Sequence, residues 1–255
     1  MTQRISILGC GWLGLTLAVK LIGKGYRVYG SNTSNVKVKE LEAKGIIPFV
    51  IDINDNHINI SDFLFSDILI IAIPSKNISA FKNLIKKVEK SEVCKVLFVS
   101  STSVYPNTNG IVTEETVTNN SPLAHIENLF RTNAFFESTI IRFGGLFGYD
   151  RKPGNFIKSG KKIDNPEGFI NFIHRDDCIG IIEQIITGNA WNNVLNACAD
   201  SHPTRREFYL KESEKLGNSM VVFNEKSENN YKIVTSQKMK SLLNYEFKYP
   251  NLMNY

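Results

Sequence analysis

Gly9–Cys10–Gly11–Trp12–Leu13–Gly14 decides how this chain is read. Its glycines have the spacing G-x-G-x-x-G. They follow the apolar run Ile5–Ser6–Ile7–Leu8, long enough for a buried strand. They precede Leu13, Leu17, Ala18 and Leu21, which recur at helical spacing up to Gly23 and Gly25. Tyr26–Arg27–Val28–Tyr29–Gly30 then reads as a second strand. Strand, glycine turn, helix and strand form the context in which such glycines hold a dinucleotide. The first makes a tight turn, the second admits a pyrophosphate to backbone N–H groups, and the third lets the helix pack closely on the strand. The helix N-terminus adds unsatisfied N–H groups and partial positive charge. Gly9, Gly11, Trp12, Leu13 and Gly14 are therefore the candidate phosphate loop. The alternative is a glycine-rich turn in some other α/β protein.

The second strand runs into the polar turn Ser31–Asn32–Thr33–Ser34–Asn35. NAD sites usually end this strand in an Asp or Glu that takes the ribose 2′-OH. No acid occurs here before Glu40. An acid would repel a 2′-phosphate, so its absence favours NADP over NAD. Asn32, Thr33 and Ser34, with Lys37 or Lys39, are the candidate contacts.

The pattern continues in alternation. Val36 to Lys44 is helical; Ile47 to Ile51 is a strand ending at Asp52; Ile68 to Ile73 is a strand ending at Pro74. Ile78 to Lys90 carries one apolar helical face, and Val93 to Val99 is a strand running into Ser100–Ser101. Near-continuous apolar strands between amphipathic segments indicate an α/β fold, a doubly wound parallel sheet (Rossmann fold) covered on both faces. Ligands of such sheets sit beyond the carboxyl ends of the strands. That rule nominates Asp52, Ile53, Ala72, Ile73, Pro74, Ser100 and Ser101. Asn107 to Pro122 is a polar loop with a short extended piece at Gly110–Val112. Leu123 to Glu137 is helical, and Thr139 to Phe143 is a sixth strand. Later pieces are a strand within Phe169 to His174, a helix from Asp176 to Thr187, a strand at Val194–Ala197 and a helix from Thr204 to Leu216. A polar, aromatic-rich tail follows from about Asn218. The expected division is a dinucleotide-binding domain over 1–145 and a small C-terminal substrate lobe over 146–255, whose late elements return to the sheet.

Composition narrows the function classes. The chain has 255 residues and a net charge of +5, from 30 basic and 25 acidic residues. The basic residues are spread out, so no nucleic-acid partner is indicated, and a polyanionic cofactor accounts for some of the bias. The four cysteines, Cys10, Cys94, Cys178 and Cys198, lie far apart and give neither a metal pattern nor a disulfide framework. The first strand starts almost at Met1, leaving no signal peptide. No apolar run is long enough to span a membrane. The chain reads as a cytoplasmic protein without a membrane partner.

At Val99–Ser100–Ser101–Thr102–Ser103–Val104–Tyr105–Pro106 a family signature emerges. With Gly9 to Gly14, Asp52–Ile53, Arg142 to Gly148 and Asn171–Phe172–Ile173–His174–Arg175–Asp176–Asp177, it resembles the extended short-chain dehydrogenase/reductases, the nucleotide-sugar epimerase and dehydratase group. The resemblance covers about residues 4 to 250 and is greatest to the short, atypical members. It implies an NAD(P)-dependent oxidoreductase or epimerase with a small polar or sugar-like substrate and, commonly, a homodimer. It also implies that Ser101 hydrogen-bonds the reacting oxygen, with Phe143, Gly144 and Gly145 flanking nicotinamide and substrate.

The family's Tyr-x-x-x-Lys pair is missing. Its tyrosine transfers the proton, and the lysine's charge lowers the tyrosine pKa. Leu123 and Glu127 stand in their places, and no Tyr or Lys occurs between Tyr105 and Tyr149. Thr102 and Ser103 occupy the positions of the acid pair used in dehydration, which argues against that reaction. His125, on the same helix, is the candidate acid/base. Tyr105 is a candidate substrate contact, and His174 matches a position that is usually structural. Two further readings stand beside the enzyme: a cofactor-binding module without turnover, such as a redox sensor or partner subunit, and an RNA-associated member of the fold.

Overall fold

The computed structural model describes residues 2–156, 162–215, 217 and 221–255. In chain order the elements are β1 (Arg4–Leu8), α1 (Trp12–Gly23), β2 (Arg27–Asn32), α2 (Val38–Ala43), β3 (Ile47–Val50), β4 (Ile68–Ile71), α3 (Ile78–Val88), β5 (Lys95–Ser101), β6 (Gly110–Val112), α4 (Pro122–Arg131) and β7 (Glu137–Phe143). There follow β8 (Gly145–Phe147), β9 (Phe172–His174), α5 (Arg175–Thr187), β10 (Val194–Ala197), α6 (Arg205–Lys215), β11 (Lys232–Val234) and α7 (Gln237–Leu243). Leu216 and Asn218, named above for the late helix and the tail, lie outside the described residues.

Seven strands form one sheet in the order β10-β7-β5-β4-β1-β2-β3. β3, β2, β1, β4 and β5 pair in parallel, with Ile7 beside Gly30 on one side and Ile70 on the other. The chain winds outward from β1 through β2 to β3, then returns to β4 and winds the opposite way. A doubly wound sheet opens its ligand crevice at such a reversal. The sheet and its Rossmann order agree with the sequence reading.

The chain divides into two compact units. The first is Met1–Ser100, Asn120–Ile141 and Ile185–Val194; the second is Ser101–Asn119, Arg142–Gln184 and Leu195–Tyr255. In the first, β1 and β4 are buried almost end to end. Their two-sided burial explains why they read as apolar runs rather than alternating ones. Phe98 of β5 stacks on Phe130 of α4 at 5.0 Å between ring centroids, and Phe81 of α3 meets both edge-on.

α3 starts where Asn77 accepts from the Ala80 N–H, and α4 where Ser121 accepts from the Ala124 N–H with Pro122 in the first turn. α4 ends at Arg131, not at Glu137. The Thr132 hydroxyl donates back to the Asn128 carbonyl, and the Asn133 side chain accepts from the Phe135 N–H. Such local side-chain bonds compete with helix continuation.

In the second unit Phe147, Ile170, Ala199, Phe208 and Leu252 form a small core. His174 is buried against Phe147, Tyr149, Tyr249 and Tyr255. Burial holds the imidazoles of His174 and His202 below the ordinary histidine value of 6.5. Below about 6.5 the unfolded chain takes up protons that the folded unit refuses, so its stability falls as pH drops toward the folded values. Thermal melts at pH 7 and pH 5 are expected to show a lower Tm at pH 5, with His202→Gln reducing the difference.

Candidate functional site

The first unit carries the candidate dinucleotide loop. β1 ends at Leu8, and Gly9 turns the chain with φ +103°. A Cβ at Gly9 would lie 2.5 Å from Ile73 Cγ2 and 2.8 Å from the Ala72 carbonyl oxygen. The turn after β1 is thus pressed against the segment after β4, and only glycine satisfies both the dihedral and the space. A Cβ at Gly14 would lie 2.1 Å from the Gly9 carbonyl oxygen. That glycine is required where α1 leaves the loop.

Gly11 differs. It is exposed, its φ is −83°, and a Cβ built on it meets nothing within 4 Å. The protein itself makes no demand for glycine at this position. The demand fits a ligand that needs the backbone bare. Gly11 is the N-cap of α1, no side chain caps the helix, and no acid stands in its first turn. Helix N-termini of this kind attract anions.

The end of β2 supports the loop. The Ser31 hydroxyl accepts from the Gly9 N–H at 3.1 Å, and the Ser31 carbonyl accepts from the Cys10 N–H at 2.7 Å. Cys10 is buried under Gly30, whose Cβ would come within 2.6 Å of its sulfur. Burial pushes the Cys10 thiol up to about 12, which leaves it a packing group. Asn32 follows, with a buried Nδ2 that has no hydrogen-bond partner. An unpaired buried amide is costly unless a ligand completes it. Thr33 and Ser34 are exposed beside it. Ser31 was missed in the sequence because only a contact across 22 residues gives it this role.

Further along the strand ends, the Asp52 carboxylate accepts from the Asn54 N–H at 2.9 Å and side-chain amide at 2.8 Å. Asn54 in turn accepts from the amide of Asn77, the cap of α3. Asp52 and Pro74 are exposed, Ala72 and Ile73 partly so, and Ile53 is buried. At the end of β5 the buried Ser100 hydroxyl donates to Glu127 of α4, itself 1% exposed. The residue standing in the usual lysine position thus points inward and engages a serine nominated for the cofactor. Leu123 is buried as well. His125, two residues from each, faces the other way, because residues two apart lie on different sides of a helix. It is exposed, with Nε2 2.6 Å from Asn120 Oδ1.

The remaining nominated residues belong to the second unit. Ser101 opens a 3-10 turn, Thr102–Val104, and its hydroxyl accepts from the Ser103 N–H at 3.1 Å while keeping its own proton to donate. The Tyr105 phenol is buried. It accepts from Arg142 at 2.6 Å and donates to Asn196 at 2.8 Å, and the Asn196 N–H donates to Glu114 at 2.8 Å. Burial raises the phenol's pKa, with Arg142 opposing. Tyr105 is therefore fixed in a buried network. Phe143 is buried. A Cβ at Gly144 would lie 2.4 Å from the Asn171 carbonyl oxygen, and one at Gly145 2.3 Å from the Phe172 ring. The space beside Gly145, expected to flank the substrate, is filled by Phe172.

Among the described residues no three His, Cys, Asp or Glu side chains gather as metal ligands. No helix among them is long and apolar enough to cross a membrane.

Comparison with known proteins agrees with this geometry. Residues 4–120 match the family model for the NAD binding domain of 6-phosphogluconate dehydrogenase. Protein YeeZ of Escherichia coli (strain K12) is 29% identical over 267 aligned positions, covering 98% of this chain and 97% of that protein. A functionally unknown conserved protein from Silicibacter pomeroyi has a TM-score of 0.82 at 19% identity, over 99% of this chain and 96% of that one. UDP-glucuronic acid 4-epimerase from Bacillus cereus, solved with UDP-glucuronic acid and NAD, has a TM-score of 0.80 at 18% identity, over 99% and 96%. At these identities the structures speak for the fold. The chain thus has a Rossmann-type fold, and residues 4–120 carry the sequence pattern of an NAD-binding domain.

Proposed function

We propose that this chain is an NAD(P)-dependent oxidoreductase or epimerase acting on a small polar, sugar-like substrate, with NADP preferred over NAD. One observation carries the reading: a bare-backbone cradle at Gly11 lies in the same loop system as the unpartnered Asn32 amide. The N-terminus of α1 holds the pyrophosphate. The Asn32 amide, with Thr33 and Ser34, takes the ribose and its 2′-phosphate, and Ala72, Ile73 and Pro74 line the crevice. When bound, the dinucleotide supplies hydride chemistry. The Ser101 hydroxyl donates a hydrogen bond to the substrate's carbonyl oxygen and orients it, and water supplies the proton that the reduction consumes. His125, tied to Asn120 on the exposed side of α4, is given no part in the proton transfer. Titration with NADPH and a panel of carbonyl compounds and UDP-sugars, in the parent and in Ser101→Ala, tests the reading. Turnover in the parent that Ser101→Ala abolishes supports it.

The position of Glu127 favours a second reading. Its carboxylate occupies the place of the family's cation and engages Ser100, which suits a protein that binds dinucleotide without turnover. Dinucleotide binding with no turnover on the panel selects this reading.

Asn32→Asp tests the cofactor preference. A carboxylate there repels a 2′-phosphate and accepts a 2′-OH. NADPH is expected to bind about tenfold more weakly, a change of about 1.4 kcal/mol, with NADH unchanged or tighter. Isothermal titration of both cofactors reads the change.

A further inference from the structure

Lys232 is the residue of the second unit whose chemistry is left over. It lies in β11, which pairs in parallel with β6, Lys232 beside Gly110. Its position is built from both sides. The Asn171 amide donates to the Lys232 carbonyl at 2.9 Å, and the Asn171 oxygen accepts from the Val234 N–H at 2.8 Å. The side chain is partly buried, and its ammonium donates to the main-chain carbonyl of Tyr105 at 2.6 Å. Among the described residues no carboxylate pairs with it. A cation drawn out of water with only a neutral carbonyl for company is disfavoured. Burial accordingly pulls Lys232 below the ordinary lysine value, with the neighbouring Cys198 opposing.

The ammonium is placed close to the chemistry. Tyr105 closes the turn that Ser101 opens: its N–H donates to the Thr102 carbonyl at 3.2 Å. A 3-10 turn rises about 2 Å per residue, so the carbonyl that holds Lys232, four residues on, lies within about 8 Å of Ser101 along the chain.

We infer that Lys232 receives an anionic group of the substrate, a carboxylate or a phosphate, beside the oxygen held by Ser101. This rests on the reading of Ser101 as a substrate contact. An anion supplies the counter-charge that the described residues do not give Lys232.

Three proteins test it: the parent, Lys232→Met, which keeps length and removes charge, and Lys232→Arg, which keeps charge. Each is melted alone, with inorganic phosphate, with glucuronate and with glucose, at matched ionic strength. Alone, Lys232→Met is expected to melt at or above the parent temperature, because an uncompensated charge has gone. Phosphate, glucuronate or both are expected to raise the melting temperature of the parent and of Lys232→Arg, while glucose raises neither. Lys232→Met is expected to need about tenfold more anion for the same shift. A response to phosphate alone or glucuronate alone supports the inference and assigns the group. No response of the parent to either anion, an equal response of Lys232→Met, or a sharply lower melting temperature of Lys232→Met alone overturns it. NADPH titration of the parent separates the two proposals: its failure removes the proposed function while the anion result still stands or falls by itself.

Discussion

Gly14→Ala is expected to unfold the first unit, while Gly11→Ala leaves it folded. The two substitutions add the same methyl group three residues apart, yet meet opposite surroundings. At Gly14 the methyl would sit 2.1 Å from the Gly9 carbonyl oxygen, a backbone atom that cannot yield without moving the turn against Ala72 and Ile73. Overpacking against backbone places the cost at about 4 kcal/mol or more, a large part of a domain's whole stability. At Gly11 the methyl meets nothing within 4 Å, so the melting temperature is expected to stay at the parent value. The same methyl projects into the space assigned to the pyrophosphate, and dinucleotide affinity is expected to fall at least about tenfold. Denaturant melts and cofactor titration of both variants check the contrast. Equal stability of the two would contradict the assignment of Gly14 to packing and Gly11 to ligand.

The second large effect is expected at Asp177. This carboxylate is fully buried at the start of α5 and accepts from the Tyr245 hydroxyl at 3.0 Å, the Lys248 N–H at 2.7 Å and the Tyr249 N–H at 3.1 Å. It fastens the segment after α7 to α5. Burial pushes its pKa up against the pull of these three donors. Asp177→Ala leaves one buried and two partly buried donors without their acceptor, at an expected cost of about 2–3 kcal/mol to the second unit. Asp177→Asn retains one acceptor oxygen and is expected to fall between parent and alanine variant. Urea melts read the order, and a loss below about 1 kcal/mol for Asp177→Ala would contradict the anchoring role.

The strand–glycine turn–helix unit was legible because its signal is contiguous: a buried strand, three spaced glycines and an amphipathic helix lie within twenty-odd residues. The sheet was legible because two-sided burial leaves β4 wholly apolar and β1 apolar but for Arg4 and Ser6. What stayed hidden depends on partners far along the chain. β11 pairs with β6 across more than a hundred residues, and neither its composition nor its period announces it. Ser31 and Lys232 owe their roles to Gly9 and Tyr105, distant in sequence. Gly144 and Gly145 carry no mark in the sequence that Asn171 and Phe172 fill the space beside them. Glu127 was legible as a departure from the family that the sequence resembles, but its inward direction toward Ser100 required the packing of α4 on β5.

Titration of the purified protein with NADPH and NADH, followed by the fluorescence of Trp12 in the phosphate loop, tests the central claim most directly. The expected result is a saturable change for NADPH below about 1 mM, weaker for NADH, and lost in Gly11→Asp, which remains folded. A folded parent protein that shows no saturable response to either cofactor would contradict the account.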